Sequence, residues 1–245
     1  MSEKTYTLFI PVGTTSIYNG EIGKLPESGG GEADNKELLE MAADYRDDAD
    51  KNPKLYTRLF DKLVEAHSRF WGLNDALTCR KENYAKSSAE LTSTRLFLDY
   101  MEELPPKDED FEERALGKVV LLASAGNEGR FAAEVVETVM KMPNYRLPGT
   151  GVTVEIKAIP GLDVEFVDLG KVLPPLVDQF RPNSKEECAY FNVTGGYKAT
   201  VALIGFLAKE KRYRMFYVHE SIETPILLNE QTGRMKEAKR RRHAW

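Results

Sequence analysis

The fold is decided by the stretch Cys188–Gly196, CAYFNVTGG, which continues directly into Tyr197–Leu207, YKATVALIGFL. The first part is a short, largely apolar run that ends at two glycines. The second part is apolar with helical spacing, so the sequence predicts a strand, a tight turn and a helix. In an open α/β sheet such a turn lies at the carboxyl end of its strand, where these sheets bind ligands.

The turn has the chemistry of an anion site. Gly195 and Gly196 carry no side chain, so a ligand can approach their backbone closely. The following helix presents free N–H groups at its N-terminus, and Lys198 adds a positive charge within the first turn. The turn lacks the first glycine of the G-x-x-x-x-G-K-[ST] motif, and no G-x-G-x-x-G follows a strand. The sequence therefore predicts a phosphate-like or nucleotide-like ligand outside the commonest nucleotide motifs.

Composition limits the class of protein. The 245 residues are 42% hydrophobic and 30% charged, which suits one large domain or a domain with a substantial insertion. There are 34 Lys and Arg against 39 Asp and Glu, a net charge of -5, so we do not expect a broad surface for long nucleic acid. Two distant cysteines favour a reducing cytoplasm, and no run reaches the roughly 18 apolar residues that span a membrane.

Metal and cofactor motifs are not found in the sequence. The three histidines are scattered, with no H-E-x-x-H, and there is no C-x-x-C. His67 lies on an apolar helical stripe, so we expect it to be buried packing. The sequence therefore predicts neither a metal site nor a bound cofactor.

Strands and helices alternate along much of the chain. A first strand is predicted at Tyr6–Val12, and a helical block at 35–103 follows it as an insertion. The remaining alternation favours an α/β fold with a mainly parallel, doubly wound sheet. We assign this domain to 1–228 and a basic tail, either solvated or in contact with nucleic acid or a partner chain, to 229–245. The other predicted strands are Lys118–Ala123, Val152–Ala158, Cys188–Thr194, Arg214–His219 and Thr224–Leu228, and the other predicted helices are Glu128–Lys141, Gly170–Phe180 and Tyr197–Lys209.

Three predicted loops carry candidate ligand-binding residues. Each follows a strand, and in a doubly wound sheet the carboxyl ends of parallel strands share one edge, so the loops can converge. Each loop contributes hydroxyl groups, glycine or a cation. The candidates are Gly13, Thr14, Thr15 and Ser16 in the first loop, Ser124, Gly126 and Arg130 in the second, and Thr194, Gly195, Gly196 and Lys198 in the third.

Several pieces of the chain resemble, in the same order, the CARF-domain CRISPR-associated proteins, and most closely the compact standalone group that includes ring nucleases. The resemblance covers roughly 5–20 and 86–228. It implies a Rossmann-like CARF fold and a homodimer that binds a cyclic oligoadenylate, usually cyclic tetra-adenylate, across its two-fold axis. The pieces are FIPVGTTSIYN, SSAELTS, VVLLASAGNEGRFAAEVV, FNVTGGYKA and FYVHESIETPILL.

The resemblance also implies a reaction. Some standalone members cleave the ring to linear di-adenylate and so switch off type III CRISPR signalling. The ribose 2′-hydroxyl attacks its own 3′-phosphate, so the protein has only to hold an in-line geometry and stabilise charge, without a metal. In this interpretation Lys198 stabilises the transition state or protonates the leaving 5′-oxygen, and Thr15 or Ser16 holds phosphate or orients the ribose.

Other residues are candidates for binding only. Tyr18 and Tyr197 are candidate walls for the adenine bases, and Arg130 is a candidate for phosphate. Glu90 and Ser93, from the helical insertion, are expected to close over the ring.

The sequence departs from the family pattern in two loops. The first loop often reads G-T-S and here reads Gly13-Thr14-Thr15-Ser16, while the second often reads S-D-T-x-x-G and here lacks the acid. The alternative function is a non-catalytic sensor that binds the ring and signals to a partner protein through the insertion or the basic tail. A ligand-dependent nuclease within 35–103 is disfavoured, because that block shows no paired acids with a lysine at nuclease-like spacing.

Overall fold

The computed structural model describes residues 5–18, 37–38, 40–45, 53–73, 87–103, 115–149, 151–160, 188–195, 205, 213–219, 224–229 and 234–237. Seven strands within these ranges form one sheet. They are β1 (Thr5–Pro11), β2 (Ala115–Ser124), β3 (Thr153–Ile159), β4 (Cys188–Asn192), β5 (Arg214–Tyr217), β6 (Ile226–Asn229) and β7 (Arg234–Glu237).

Four helices can be bounded in the described part of the chain. They are α1 (Thr15–Tyr18), α2 (Pro53–Leu73), α3 (Ala89–Glu103) and α4 (Asn127–Met140). A short 3₁₀ helix, Pro143–Tyr145, follows α4. Residues 37–38, 40–45 and 205 are also helical. No helix within the described ranges combines the length and the apolar composition needed to cross a bilayer.

The order of the strands confirms a Rossmann-like α/β fold. The sheet runs β3-β2-β1-β4-β5-β6-β7. The first five strands in this order are parallel, and β6 and β7 are added antiparallel at one side. The order 3-2-1-4-5 is typical of doubly wound sheets, whose chain leaves the centre first to one side and then to the other. The topological switch point therefore lies between β1 and β4.

Most predicted elements that fall on described residues are present. The helical insertion between the first two strands contains α2 and α3, and the predicted helix Glu128–Lys141 corresponds to α4. The predicted helices Gly170–Phe180 and Tyr197–Lys209 lie outside the described residues, except Gly205, which is helical. The sequence did not predict β7, which falls within the segment assigned to the basic tail and pairs antiparallel with β6.

All four bounded helices contribute to one core on one face of the sheet or lie against it. Leu8 and Ile10 of β1 belong to the same buried cluster as residues of α2, α3 and α4. Successive residues of a strand face opposite sides, so Phe9 lies on the other face, where its ring stacks on Phe191 of β4 at 4.8 Å. Both faces of β1 are buried after Thr5, as expected for the central strand of a parallel sheet.

Aromatic packing fixes α3 on the central strands. Phe97 of α3 stacks on Phe216 of β5, with ring centroids 4.0 Å apart and planes 3° apart. The same ring lies 5.2 Å from Tyr190 of β4 and 6.4 Å from Tyr6 of β1. Phe97 is fully buried. Helix α3 is thus held over the strands that flank the switch point.

We expect Phe97→Ala to reduce the free energy of unfolding by about 3–5 kcal/mol, because it removes a fully buried ring and leaves a cavity. Denaturant titration monitored by circular dichroism measures this change. Phe60→Ala, at a half-buried position of α2, is the matched control and should cost less. Equal losses for the two variants would contradict the packing described for α3.

Candidate functional site

The loops after β1 and β4 lie side by side at the switch point. Strands β1 and β4 pair in parallel, and Phe9 is opposite Phe191, so both carboxyl ends are at the same edge. Backbone hydrogen bonds between neighbouring strands continue one residue past each strand. Val12 N, after β1, donates to Leu122 O at 2.9 Å, and Val193 N, after β4, donates to Phe216 O at 2.9 Å. The first and third predicted loops therefore meet where an open α/β sheet binds ligands.

Glu90 lies between these two loops. Glu90 is fully buried, and its Oε1 accepts a hydrogen bond from Gly13 N at 2.9 Å. On the other loop, a Cβ placed at Gly195 would lie 2.9 Å from the same Oε1. The sequence analysis assigned Glu90 to closure over a ligand, and the structure places its carboxylate in the contact between the Gly13 and Gly195 turns.

The start of α3 sets the position of Glu90. Ser88 precedes the helix, and its Oγ accepts a hydrogen bond from Leu91 N at 3.1 Å. Its carbonyl accepts one from Thr92 N at 3.0 Å. A serine that caps a helix in this way satisfies backbone donors that have no partner within the helix. Glu90 is consequently in the first turn of a well-defined helix.

Asn192, the last residue of β4, ties the third loop to α3. Its Nδ2 donates to Ser93 Oγ at 2.7 Å and to Thr94 Oγ1 at 3.1 Å, while its Oδ1 accepts from Thr194 N at 3.0 Å. Ser93 Oγ in turn donates to the carbonyl of Ala89 at 2.5 Å. Ser93 is fully buried, so in this structure it braces the loop.

Asn192 was missed from the sequence, although one signal was present. It is a polar residue at the end of the run CAYFN, and a buried amide needs hydrogen-bond partners. The partners, Ser93 and Thr94, are about a hundred residues earlier in the chain, so no local pattern identifies them.

Thr194 is held by the next strand. Its Oγ1 accepts a hydrogen bond from Val218 N at 2.9 Å, directly after β5. With its own N–H bonded to Asn192, the residue is fixed from both sides. Gly196, Tyr197 and Lys198 lie outside the described residues. The described part of the turn is therefore tied to β4 and to the residue after β5, and in the sequence it precedes the segment that carries Lys198.

The first loop turns directly into α1. The carbonyl of Thr14 accepts a hydrogen bond from Ile17 N at 3.0 Å. Ser16 is fully buried, and its Oγ has no hydrogen-bond partner among the described residues. The side chains of Thr15 and Tyr18 are outside the described part of the chain. Of the two hydroxyls predicted to act on the ligand, that of Ser16 is enclosed by protein in this structure.

His67 anchors the first loop to the insertion. It is fully buried on α2, which confirms the predicted packing role, and its Nε2 lies 3.3 Å from the carbonyl oxygen of Ser16. Its Nδ1 lies 3.4 Å from Ser87 Oγ. Burial lowers the pKa of His67 to about 4, although the hydrogen bond to Ser16 opposes the shift. The imidazole is therefore neutral near pH 7 and donates to the carbonyl through Nε2.

The second loop lies on the far side of β1 from the third. Ser124 ends β2 and is buried, and α4 begins at Asn127 after Gly126, so Arg130 is in the first turn of a helix. A Cβ at Gly129 would lie 2.0 Å from Ser124 Oγ, so the glycine allows the helix to pack on this serine.

Arg130 lies towards α2 at this end of the sheet. It is exposed. Burial and a hydrogen bond to Glu134 raise the pKa of Tyr56 on α2, and the charge of Arg130 opposes this shift. The structure thus joins the first and third loops through Glu90 and leaves Arg130 on the surface near α2. Within the described ranges, no three His, Cys, Asp or Glu side chains are grouped as a metal site requires.

One family model matches the chain. It is described as CRISPR-associated protein (Cas_APE2256) and matches residues 85–230, which is more than half of the chain. The matched region starts just before α3 and contains Glu90, Asn192 and the Thr194-Gly195 turn. No curated protein matches the chain.

The neutral state of His67 predicts a pH dependence of stability. The unfolded chain takes up a proton near the ordinary histidine pKa of 6.5, whereas folded His67 does so near 4. Stability should therefore fall by about 3 kcal/mol as the pH decreases from 6.5 to 4, and His67→Gln should lose this component. Denaturant titrations at several pH values measure it.

Phe60→Ala, which changes no titratable group, is the control and should keep the shape of the wild-type pH profile. Parallel profiles for wild type and His67→Gln would contradict the assignment of a neutral, buried imidazole.

Proposed function

Because the chain belongs to the Cas_APE2256 family of CRISPR-associated proteins, we propose that it binds cyclic tetra-adenylate at a homodimer interface and cleaves the ring to linear di-adenylate. The observation that carries the proposal is the meeting of the first and third loops at the switch point between β1 and β4. Cleavage of the ring would switch off type III CRISPR signalling in the cytoplasm.

The geometry suits a cyclic polyanion. The loops are at the carboxyl edge of a parallel sheet, and the third leads into the segment Gly196-Tyr197-Lys198. Backbone N–H groups of a glycine turn and one lysine can hold a single phosphate. A four-phosphate ring has a two-fold axis, so two copies of this edge in an isologous dimer match its symmetry.

The proposed reaction uses the substrate's own nucleophile. A ribose 2′-hydroxyl gives up its proton to water and attacks the adjacent phosphorus in line. The bond to the 5′-oxygen breaks, that oxygen takes up a proton, and a 2′,3′-cyclic phosphate remains on the product. Lys198 stabilises the charge on the phosphorane or protonates the departing 5′-oxygen. Since the Ser16 hydroxyl is enclosed, we assign the contact with phosphate or ribose to Thr15, while the Ser16 carbonyl supports the loop through His67.

A second candidate function is a sensor that binds the ring and leaves it intact. It is favoured by the contacts of the insertion with the first loop, through His67 on Ser16 and Glu90 on Gly13. A ligand that moved this loop would act directly on α2 and α3, which offers a route to a partner protein.

We expect purified protein in excess EDTA to convert cyclic tetra-adenylate to linear di-adenylate, and Lys198→Ala to slow conversion by about tenfold or more, because one charge on the transition state is lost. Mass spectrometry of timed samples identifies the products. Lys141→Ala, which removes an exposed lysine paired with Glu137, is the control and should leave the rate unchanged.

Intact ring after hours at high protein concentration would exclude the nuclease. If the ring were recovered bound to the protein, the sensor would be the correct function. If it were recovered free, both functions would be excluded.

A further inference from the structure

Glu90 contacts both the Gly13 turn and the Gly195 turn at the switch point. The N–H of Gly13 points to a carboxylate oxygen at 2.9 Å, and the backbone of Gly195 approaches the same oxygen too closely for a Cβ. Glu90 is fully buried, so this carboxylate faces protein on all sides. The described contacts of this side chain include both of the loops that would bind the ligand.

We propose that Glu90 is a positioning residue that fixes the distance between the Gly13 and Gly195 loops and thereby sets the affinity for the ligand. The inference rests on the proposed function and refines it. Glu90 was expected to close over the ring, and the geometry instead gives it the role of a spacer between the two backbone turns.

The hydrogen bond to Gly13 also removes one expected donor from the ligand. A buried backbone N–H needs an acceptor, and the Oε1 of Glu90 supplies it for Gly13. In this structure the Gly13 N–H donates to Glu90. A phosphate at the first loop would therefore be bound by the groups that follow Gly13.

A side chain at Gly195 would crowd Glu90 in this arrangement. A Cβ there would lie 2.9 Å from Oε1, 3.0 Å from Cδ and 3.2 Å from Cγ of Glu90. The first distance is shorter than a Cβ tolerates and the other two are tight, so Glu90 or the turn would have to move by a few tenths of an ångström. The glycine of the turn thus serves the contact with α3, in addition to any close approach of a ligand.

Helix α3 cannot easily shift to relieve such a contact. Asn192 holds Ser93 and Thr94 at 2.7 and 3.1 Å, and Phe97 packs between the aromatic rings of the central strands. We therefore expect a change at Glu90 or Gly195 to displace the two turns next to Glu90 and to leave α3 in place.

The test uses four variants of the full chain: Glu90→Gln, Glu90→Ala, Gly195→Ala and the Glu90→Ala/Gly195→Ala double variant. Calorimetry with cyclic tetra-adenylate, in the cold so that turnover is suppressed, measures the dissociation constant of each. Glu90→Ala should weaken binding about tenfold, whereas Glu90→Gln should remain within about threefold of wild type, because glutamine keeps an acceptor for the buried Gly13 N–H.

The two positions should be coupled. Gly195→Ala alone should weaken binding, and in the Glu90→Ala background the same change should have a much smaller effect, since the atoms it meets are gone. Glu102→Ala, at an exposed position of α3, is the matched control and should bind as the wild type does. A residue that only stabilised the fold would lower the unfolding midpoint and leave the affinity of the folded protein unchanged.

A second measurement does not depend on the ligand. Hydrogen exchange of the Gly13 amide should be slow in the wild type and in Glu90→Gln and faster in Glu90→Ala and Gly195→Ala. If Glu90→Ala fails to fold, Gly195→Ala and Glu90→Gln still decide the outcome through this amide.

Wild-type affinity in Glu90→Ala, or additive effects of the two alanine changes, would overturn the inference. If the wild type binds no ring, the proposed function fails, and unchanged exchange of the Gly13 amide in Gly195→Ala would then separately overturn the spacer role.

Discussion

The parallel pairing of β1 with both β2 and β4 is the constraint on which the site depends. Because β1 is central, the chain leaves it towards β2 in one direction and reaches β4 in the other. The carboxyl ends of β1 and β4 are then neighbours with no crossover connection between them, which opens a crevice at that edge. The two strands that lead into these loops, β1 and β4, are buried except at their first residues.

The helical insertion is part of this arrangement. His67 of α2 reaches the carbonyl of Ser16, and Glu90 of α3 reaches the N–H of Gly13. Asn192 of β4 reaches back to Ser93. Buried polar groups are costly without partners, and fully paired networks of them hold a unique geometry. The insertion therefore defines the shape of the loop edge, and the sheet alone would leave the two turns much less constrained.

Much of the fold could be predicted from the sequence because it depends on local hydrophobic patterns. The central strands and α4 have the apolar runs and helical stripes that burial requires. β7 escaped prediction because Arg234–Glu237 is short and mostly charged, and its pairing with β6 is a tertiary property. The predicted turn at Gly195 was located correctly, whereas the contact of Glu90 with two loops depends on residues far apart in the chain.

The central claim is that this loop edge, in two copies, holds one cyclic polyanion. Titration calorimetry of cyclic tetra-adenylate into wild-type protein, kept cold enough to suppress turnover, tests it most directly. The account predicts saturable heat with a stoichiometry of one ring per two chains. Absence of heat, or a stoichiometry of one ring per chain, would contradict it.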